Sequence, residues 1–133
     1  MNPPYISQEN IPKNKKESYA SKYGLDMKSD LYAYFFMRAL NILSSKGVAS
    51  VISSDKWLET DYNISLQEHI KKNLIAIYGQ KNRPLGVNVN TVISLFTNEM
   101  LSDPVNFVYL ESYKSNKVIR NESIDRQKLE SGK

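Results

Sequence analysis

The chain has 133 residues, 41% of them hydrophobic and 11% aromatic, which is the composition of one small globular domain. It has no cysteine and one histidine, which excludes disulfides, thiolate metal sites and cysteine nucleophiles and argues against a protein-built metal site. The formal charge of +4 permits a polyanionic partner without requiring one. No apolar run approaches the roughly 20 residues that span a bilayer, and residues 1–20 are polar, so we expect a cytoplasmic protein with no membrane partner.

The first half of the chain predicts a loop and then a helix. Residues 7–30 are polar, carry five lysines and are interrupted by Pro12 and Gly24, which predicts a long loop with at most a short helical turn. From residue 29 onward, Ser29 or Asp30 can cap a helix in which apolar residues recur at helical spacing, and Gly47 marks its end. Because its other faces are apolar too, we expect this helix to lie between a sheet and further protein.

The second half alternates strands with helices. "VASVIS" is typical of a buried parallel strand, and it follows helix and glycine as in half of a βαβ unit. "SDKWLETDYN" then predicts a loop, "ISLQEHIKKN" a short helix and "LIAIY" a second strand. "VNVNTVISLF" predicts a third strand and "VNFVYLESY" a fourth, while the polar residues from Lys114 onward predict a solvated tail or linker.

The tetrapeptide Asn2-Pro3-Pro4-Tyr5 has the chemistry of a binding site for a planar amino compound. Two prolines fix the backbone and remove two donors, so their carbonyls act as acceptors in a stiff frame. The Asn2 side-chain oxygen and a proline carbonyl can accept both hydrogens of an exocyclic amino group, while Tyr5 offers a face for stacking. The alternative is a simple proline-rich turn. Ligands of α/β sheets bind beyond the carboxyl ends of strands, so a site here predicts a strand just upstream of Met1.

The surrounding sequence resembles the catalytic half of N6-adenine DNA methyltransferases, most closely the large type IIG restriction-modification and phage-defence enzymes. In that family the tetrapeptide is commonly followed by Ile and Gln-Glu, as Ile6, Gln8 and Glu9 stand here. The resemblance continues, over residues 2 to about 96, through an Asp-Leu-Tyr triplet, a Ser-x-Lys-Trp-Leu segment and a Val-x-Thr-x-Ile strand. These comprise Asp30, Leu31, Tyr32, Ser54, Lys56, Trp57, Leu58, Val89, Thr91 and Ile93.

The resemblance implies how the tetrapeptide acts. Asn2 and the carbonyl of Pro3 would hold the adenine N6 amino group, and Tyr5 would stack on an adenine flipped out of double-stranded DNA. Pro4 is counted with these three residues as part of the catalytic tetrapeptide. The methyl donor would be S-adenosylmethionine, with no metal and no general base. The segment after the tetrapeptide would border the DNA, which makes Lys13, Lys15, Lys16 and Lys22 candidate phosphate contacts.

Two departures from the family pattern limit what the chain is expected to do alone. Family members usually place an aromatic residue shortly before the Val-x-Thr-x-Ile strand, where Pro84 or Leu85 stands here. The five glycines, at 24, 47, 79, 86 and 132, form no Gly-rich turn for the cofactor, so no cofactor-binding residue is identifiable. We therefore expect a fragment that is inactive alone and whose partner is the missing N-terminal cofactor-binding half.

The predicted fold is α/β: the C-terminal part of a class I (Rossmann-like) S-adenosylmethionine-dependent methyltransferase fold, three-layered, with a final antiparallel strand. Residues 1–112 would form the catalytic half, and residues 113–133 a polar tail or linker towards a target-recognition region. The alternatives are a protein-glutamine or RNA methyltransferase fragment, a non-catalytic remnant and, last, an Asn-Pro-x-Tyr peptide read by adaptor domains. His69 is expected to be a solvated helical residue and Trp57 a packing residue.

Overall fold

The computed structural model describes residues 1–81 and 90–126, which form an α/β structure with a five-stranded sheet. The helices are α1 (Lys13–Tyr23), α2 (Leu31–Ile42) and α3 (Ile64–Ile70). The strands are β1 (Val48–Ser54), β2 (Leu74–Gln80), β3 (Thr91–Thr97), β4 (Val105–Leu110) and β5 (Val118–Ile124). Short 3₁₀ helices cover Gln8–Asn10, Asp55–Leu58 and Asp61–Asn63.

The strand order is β1-β3-β2-β4-β5, so the third strand in sequence lies between the first two. β3 is antiparallel to both β1 and β2, which therefore run in the same direction. β4 is parallel to β2, and β5 returns antiparallel to β4. β3 is thus an antiparallel strand between two neighbours, and the chain continues after it into β4 and β5. The final strand, β5, is also antiparallel to its neighbour.

The core lies between the helices and one face of the sheet. Val51 of β1, Phe96 of β3 and Ile77 of β2 point to that face and belong to one buried cluster with Phe36 of α2 and Leu66 of α3. The opposite face carries half-buried apolar side chains, namely Ile52, Ile93, Leu95 and Tyr78. The described residues thus supply the sheet and one helical layer of the three layers expected.

Helix α1 corrects the prediction of a loop over residues 7–30. It has eleven residues, begins directly after Pro12 and ends at Gly24, whose φ of 67° lies in the left-handed region. Pro at a helix start and Gly after its end are ordinary boundary signals. The prediction missed this helix because it has almost no apolar stripe: Ala20 is the one buried residue within Lys13–Tyr23.

Helix α2 begins after Asp30, as predicted, but ends at Ile42 rather than at Gly47. Its C-cap residue, Leu43, is already extended, and a separate turn, in which the amide of Gly47 donates to the carbonyl of Ser44, follows before β1. Gly47 therefore belongs to that turn and does not end the helix.

The strand predictions are confirmed in position for β1, β2 and β4, but β1 is not the buried parallel strand expected: it lies at the edge of the sheet, half-exposed, and pairs antiparallel with β3. The third strand begins at Thr91, and residues 87–89 of the predicted strand lie outside the described residues. Residues 118–124, expected within a polar tail or linker, instead form β5. β5 is mostly exposed and pairs with β4 through backbone hydrogen bonds, which a polar sequence can make as well as an apolar one.

Candidate functional site

The N-terminal residue lies against the outer edge of β1. The Met1 ammonium nitrogen donates to the Ser50 carbonyl at 2.7 Å, and the Ile52 amide donates to the Met1 carbonyl at 3.0 Å. Bonds to the residues on either side of Val51 are the pattern of a parallel ladder. The chain therefore runs alongside β1 in the same direction, and the tetrapeptide emerges near the carboxyl end of that strand.

The tetrapeptide exposes the side chains assigned to the adenine. Asn2, Pro4 and Tyr5 are exposed, with 45% of the Tyr5 surface accessible, whereas Pro3 is buried. Desolvation by partial burial raises the pKa of the Tyr5 hydroxyl, so Tyr5 is neutral at physiological pH. The structure thus presents an amide side chain and an aromatic face next to an anchored proline.

The N-terminus of α2 holds the segment that follows the tetrapeptide. The Leu31 amide donates to the Ile6 carbonyl at 3.0 Å, and the Gln8 amide donates to Asp30 Oδ1 at 2.9 Å. A small cavity of about 130 Å³ lies at this junction. It is lined by Tyr5, Ile6, Ser7, Asp30, Tyr32, Ser54 and Lys56.

Tyr113 and Asp55 are neighbours of the tetrapeptide that the sequence analysis did not identify. The Tyr113 hydroxyl donates to the carbonyl of Thr91 at 2.8 Å, and Thr91 pairs with Ser54, which lines the Tyr5 cavity. Burial raises the pKa of Tyr113, and the nearby Tyr5 and Asp55 add to the shift. The pKa of Asp55 is raised as well, mainly by burial and then by Glu59. In the sequence Tyr113 is the last residue of the segment predicted as the fourth strand, and nothing there indicated a place beside the tetrapeptide.

The four lysines proposed to contact DNA differ in their exposure and in their contacts. Lys13, Lys15 and Lys22 are exposed on α1, whereas Lys16 is half-buried and its Nζ donates to Gln8 Oε1 at 3.0 Å. Lys22 Nζ lies 5.5 Å from the centre of the Tyr23 ring. Lys16 is thus committed to the segment that carries the tetrapeptide.

A larger cavity, of about 410 Å³, opens on the helical face of the sheet at the same end. Its floor includes Gly79 and Phe107, and its rim carries both acidic and basic side chains, with Glu59 on one side and Arg120 on the other. Arg120 is paired with Glu122, also on the rim.

The other residues named from the sequence have the following places. Trp57 is a packing residue, as predicted: it is 2% exposed and its ring centre lies 5.5 Å from that of Phe36. His69 is exposed on α3, as predicted, with Nε2 3.3 Å from the Gly24 carbonyl. Pro84, Leu85 and Val89 lie outside the described residues. Within the described residues no group of three His, Cys, Asp or Glu could hold a metal ion, and no helix is long and apolar enough to cross a membrane.

Comparison with known sequences connects the chain to restriction-modification methylases. The family model of the Eco57I restriction-modification methylase matches residues 1–82. Over 78 residues, 58% of this chain and 14% of the relative, the sequence is 32% identical to type II methyltransferase M.BstVI of Geobacillus stearothermophilus. Over 131 residues, 96% of this chain and 21% of the relative, it is 28% identical to type II methyltransferase M.PaeR7I of Pseudomonas aeruginosa.

Solved structures agree on the fold. The chain superimposes on the type IIG restriction endonuclease BpuSI with a TM-score of 0.74 and 16% identity, covering 97% of this chain and 19% of that one. It also superimposes on the type IIL enzyme MmeI, solved with DNA, with a TM-score of 0.59 and 18% identity, covering 94% of this chain and 18% of that one. The α/β structure with its five-stranded sheet is consistent with the C-terminal part of a Rossmann-like methyltransferase fold. The chain spans about a fifth of the length of these proteins or less. Because the family model matches residues 1–82, more than half of the chain, the chain belongs to the Eco57I restriction-modification methylase family.

Proposed function

We propose that this chain is the target-base half of a site-specific DNA methyltransferase that transfers a methyl group from S-adenosylmethionine to adenine N6. The observation that carries the proposal is the placing of the tetrapeptide. Its side chains are exposed at Asn2 and Tyr5, its middle is anchored by the buried Pro3, and it emerges beside the carboxyl end of β1. That is the place where α/β sheets bind their ligands.

The proposed chemistry follows from the acceptors of the tetrapeptide. The Asn2 side-chain oxygen and the Pro3 carbonyl each accept one hydrogen of the N6 amino group, which favours the pyramidal and more nucleophilic amine. Tyr5 stacks on an adenine that has left the DNA duplex. Because the amine loses its proton during or after attack, no strong base is needed at the site.

The described residues do not themselves fit the cofactor. S-adenosylmethionine supplies the methyl group in this family, but no described strand passes through a Gly-rich turn into a helix. We therefore propose that the donor binds to an N-terminal half of the domain. The outer edge of β1, where Met1 already makes two parallel-type bonds, is the edge at which a strand from that half would pair.

The DNA-contacting role is assigned to the exposed lysines of α1. Lys13, Lys15 and Lys22 are exposed to solvent, and α1 is the first α-helix after the tetrapeptide. Each phosphate contact makes the plot of log affinity against log salt concentration steeper by about 0.9. Replacing one of these lysines by Met should reduce the slope by that amount, whereas Lys46→Met, an exposed control between α2 and β1, should leave it unchanged.

The test of the proposed reaction uses the full-length methyltransferase that contains this chain. Asn2→Ala and Tyr5→Ala should abolish incorporation of labelled methyl groups into adenine-containing DNA without unfolding the protein. Tyr109→Ala is a matched control, since Tyr109 is 42% exposed and Tyr5 45%. Full activity of either Asn2→Ala or Tyr5→Ala would disprove the site assignment.

The remaining alternatives give different results in the same assay. The same tetrapeptide could serve a protein-glutamine methyltransferase, because a glutamine amide presents the same pair of hydrogens as adenine N6. Such an enzyme would label a glutamine peptide, and an RNA methyltransferase would label RNA, rather than DNA. A remnant would label none of them. The 133-residue chain by itself should show no calorimetric binding of S-adenosylmethionine at micromolar concentrations, and binding would contradict the missing-half proposal.

A further inference from the structure

Gln8 connects the tetrapeptide to both neighbouring helices. Its backbone amide donates to Asp30 Oδ1 at 2.9 Å, and its side-chain Oε1 accepts a hydrogen bond from Lys16 Nζ at 3.0 Å. Asp30 immediately precedes α2 and Lys16 lies in α1. We name Gln8, Asp30 and Lys16 the Gln8 clamp. Gln8 itself lies three positions after Tyr5 in the chain.

The Asp30 carboxylate is used for this contact rather than for its own helix. An Asp at an N-cap ordinarily accepts a hydrogen bond from an amide in the first turn of the helix. Asp30 occupies the N-cap of α2 but makes no such side-chain bond. Its Oδ1 faces the Gln8 amide instead, and a bond to an ionised acceptor is about twice as strong as a neutral one.

A second bond holds the same stretch at the same helix end. The Leu31 amide, one residue after Asp30, donates to the Ile6 carbonyl at 3.0 Å. Asp30 also lines the small cavity next to Tyr5, where it is half-buried. Both residues that flank Ser7 are therefore tied to the start of α2, which leaves Tyr5 one residue before the first fixed point.

We propose that Asp30 is a positioning residue that fixes Tyr5 through the Gln8 clamp, and that Lys16 supports the clamp rather than binding DNA. The consequence for methyl transfer rests on the proposed function, whereas the clamp itself does not. Misplacing a group that orients the substrate lowers the rate of the chemical step more than it weakens binding. Asp30→Asn keeps an acceptor oxygen and loses the charge, so its effect should lie between those of wild type and Asp30→Ala.

The clamp can be tested in the chain itself by amide hydrogen exchange. The Gln8 amide should exchange about tenfold faster in Asp30→Ala than in wild type, as expected for a lost hydrogen bond to a charged group, and less than tenfold faster in Asp30→Asn. Asp26→Asn is the matched control, because Asp26 Oδ1 accepts the Lys28 amide at 2.8 Å. Unchanged exchange at Gln8 in both Asp30 variants would overturn the clamp, and Trp57 fluorescence reports whether each variant is folded.

The catalytic consequence is tested in the full-length methyltransferase. Asp30→Asn and Lys16→Met should each lower kcat while leaving the KM for DNA within about twofold of wild type. Lys15→Met, on the exposed surface of the same helix, should raise the KM for DNA instead. If Tyr5→Ala remains active, the proposed function fails but the exchange result stands. If Tyr5→Ala is inactive and Asp30→Asn keeps full kcat, the positioning role fails alone.

Discussion

Phe36 offers the sharpest test of how the sheet holds α2 and, through Asp30, the tetrapeptide. It is fully buried, and its ring centre lies 5.6 Å from Phe96 in a stacked arrangement, 5.5 Å from Trp57 and 6.3 Å from Tyr32. Removal of a buried Phe costs about 4 kcal/mol, and the loss of three ring contacts places this site at the upper end of the range. Phe36→Ala should therefore remove a large share of a total stability of about 10 kcal/mol.

The assay is urea unfolding followed by the fluorescence of the single tryptophan, Trp57, with circular dichroism as a second probe because the substitution lies beside that ring. Ile42→Ala is the control: Ile42 ends the same helix but is 65% exposed, so its loss should cost less than about 0.5 kcal/mol. If Phe36→Ala costs under about 1.5 kcal/mol, the ring cluster is not what fastens α2 to the sheet.

Three further substitutions test local features. Because burial and Glu59 raise the pKa of Asp55, the charge of its carboxylate opposes folding at neutral pH. Asp55→Asn should therefore raise the urea midpoint at pH 7. The difference from the wild-type midpoint should vanish below about pH 4, where the wild-type carboxyl is protonated. Tyr113→Phe should cost about 1 kcal/mol through the lost bond to the Thr91 carbonyl. Since burial raises the pKa of Tyr113, the two urea midpoints should converge as the pH rises above about 10. Gly24→Ala should lower the thermal midpoint at a cost of about 1 kcal/mol, because φ is 67° and the new methyl would lie 3.2 Å from His69 Nε2. An equal or higher midpoint would contradict the last prediction.

The elements with clear apolar periodicity could be predicted from the sequence, and those without it could not. Helix α2 buries Tyr32, Phe36 and Met37 at helical spacing, and β3 buries Val92 and Phe96 on one face, so the positions of both elements follow from the pattern. Helix α1 and strand β5 bury very little, and their stability comes from partners distant in sequence. The strand order could not be predicted either, because it depends on which strands pair through backbone hydrogen bonds.

Part of the candidate site could likewise be predicted from the sequence, and part of it could not. The tetrapeptide is contiguous, so its acceptors and its ring could be predicted from composition and order alone. Its supports are not contiguous: the Gln8 amide meets a carboxylate 22 positions later, and Tyr113 lies beside Thr91, also 22 positions away. The sequence could also not separate Lys16, which is held by Gln8, from the other lysines of α1.

The insertion of β3 between β1 and β2 has a consequence for the order in which the chain can fold during synthesis. β1 and β2 share no backbone bonds in this sheet, and each pairs with β3. Until the ribosome has released the chain as far as Thr97, β1 and β2 therefore lack the strand that pairs with both of them. Their backbone edges are open, and open strand edges can pair with other chains. Truncation before Thr91 should accordingly yield aggregated protein, whereas truncation after Leu110 should leave the four paired strands β1-β3-β2-β4 intact.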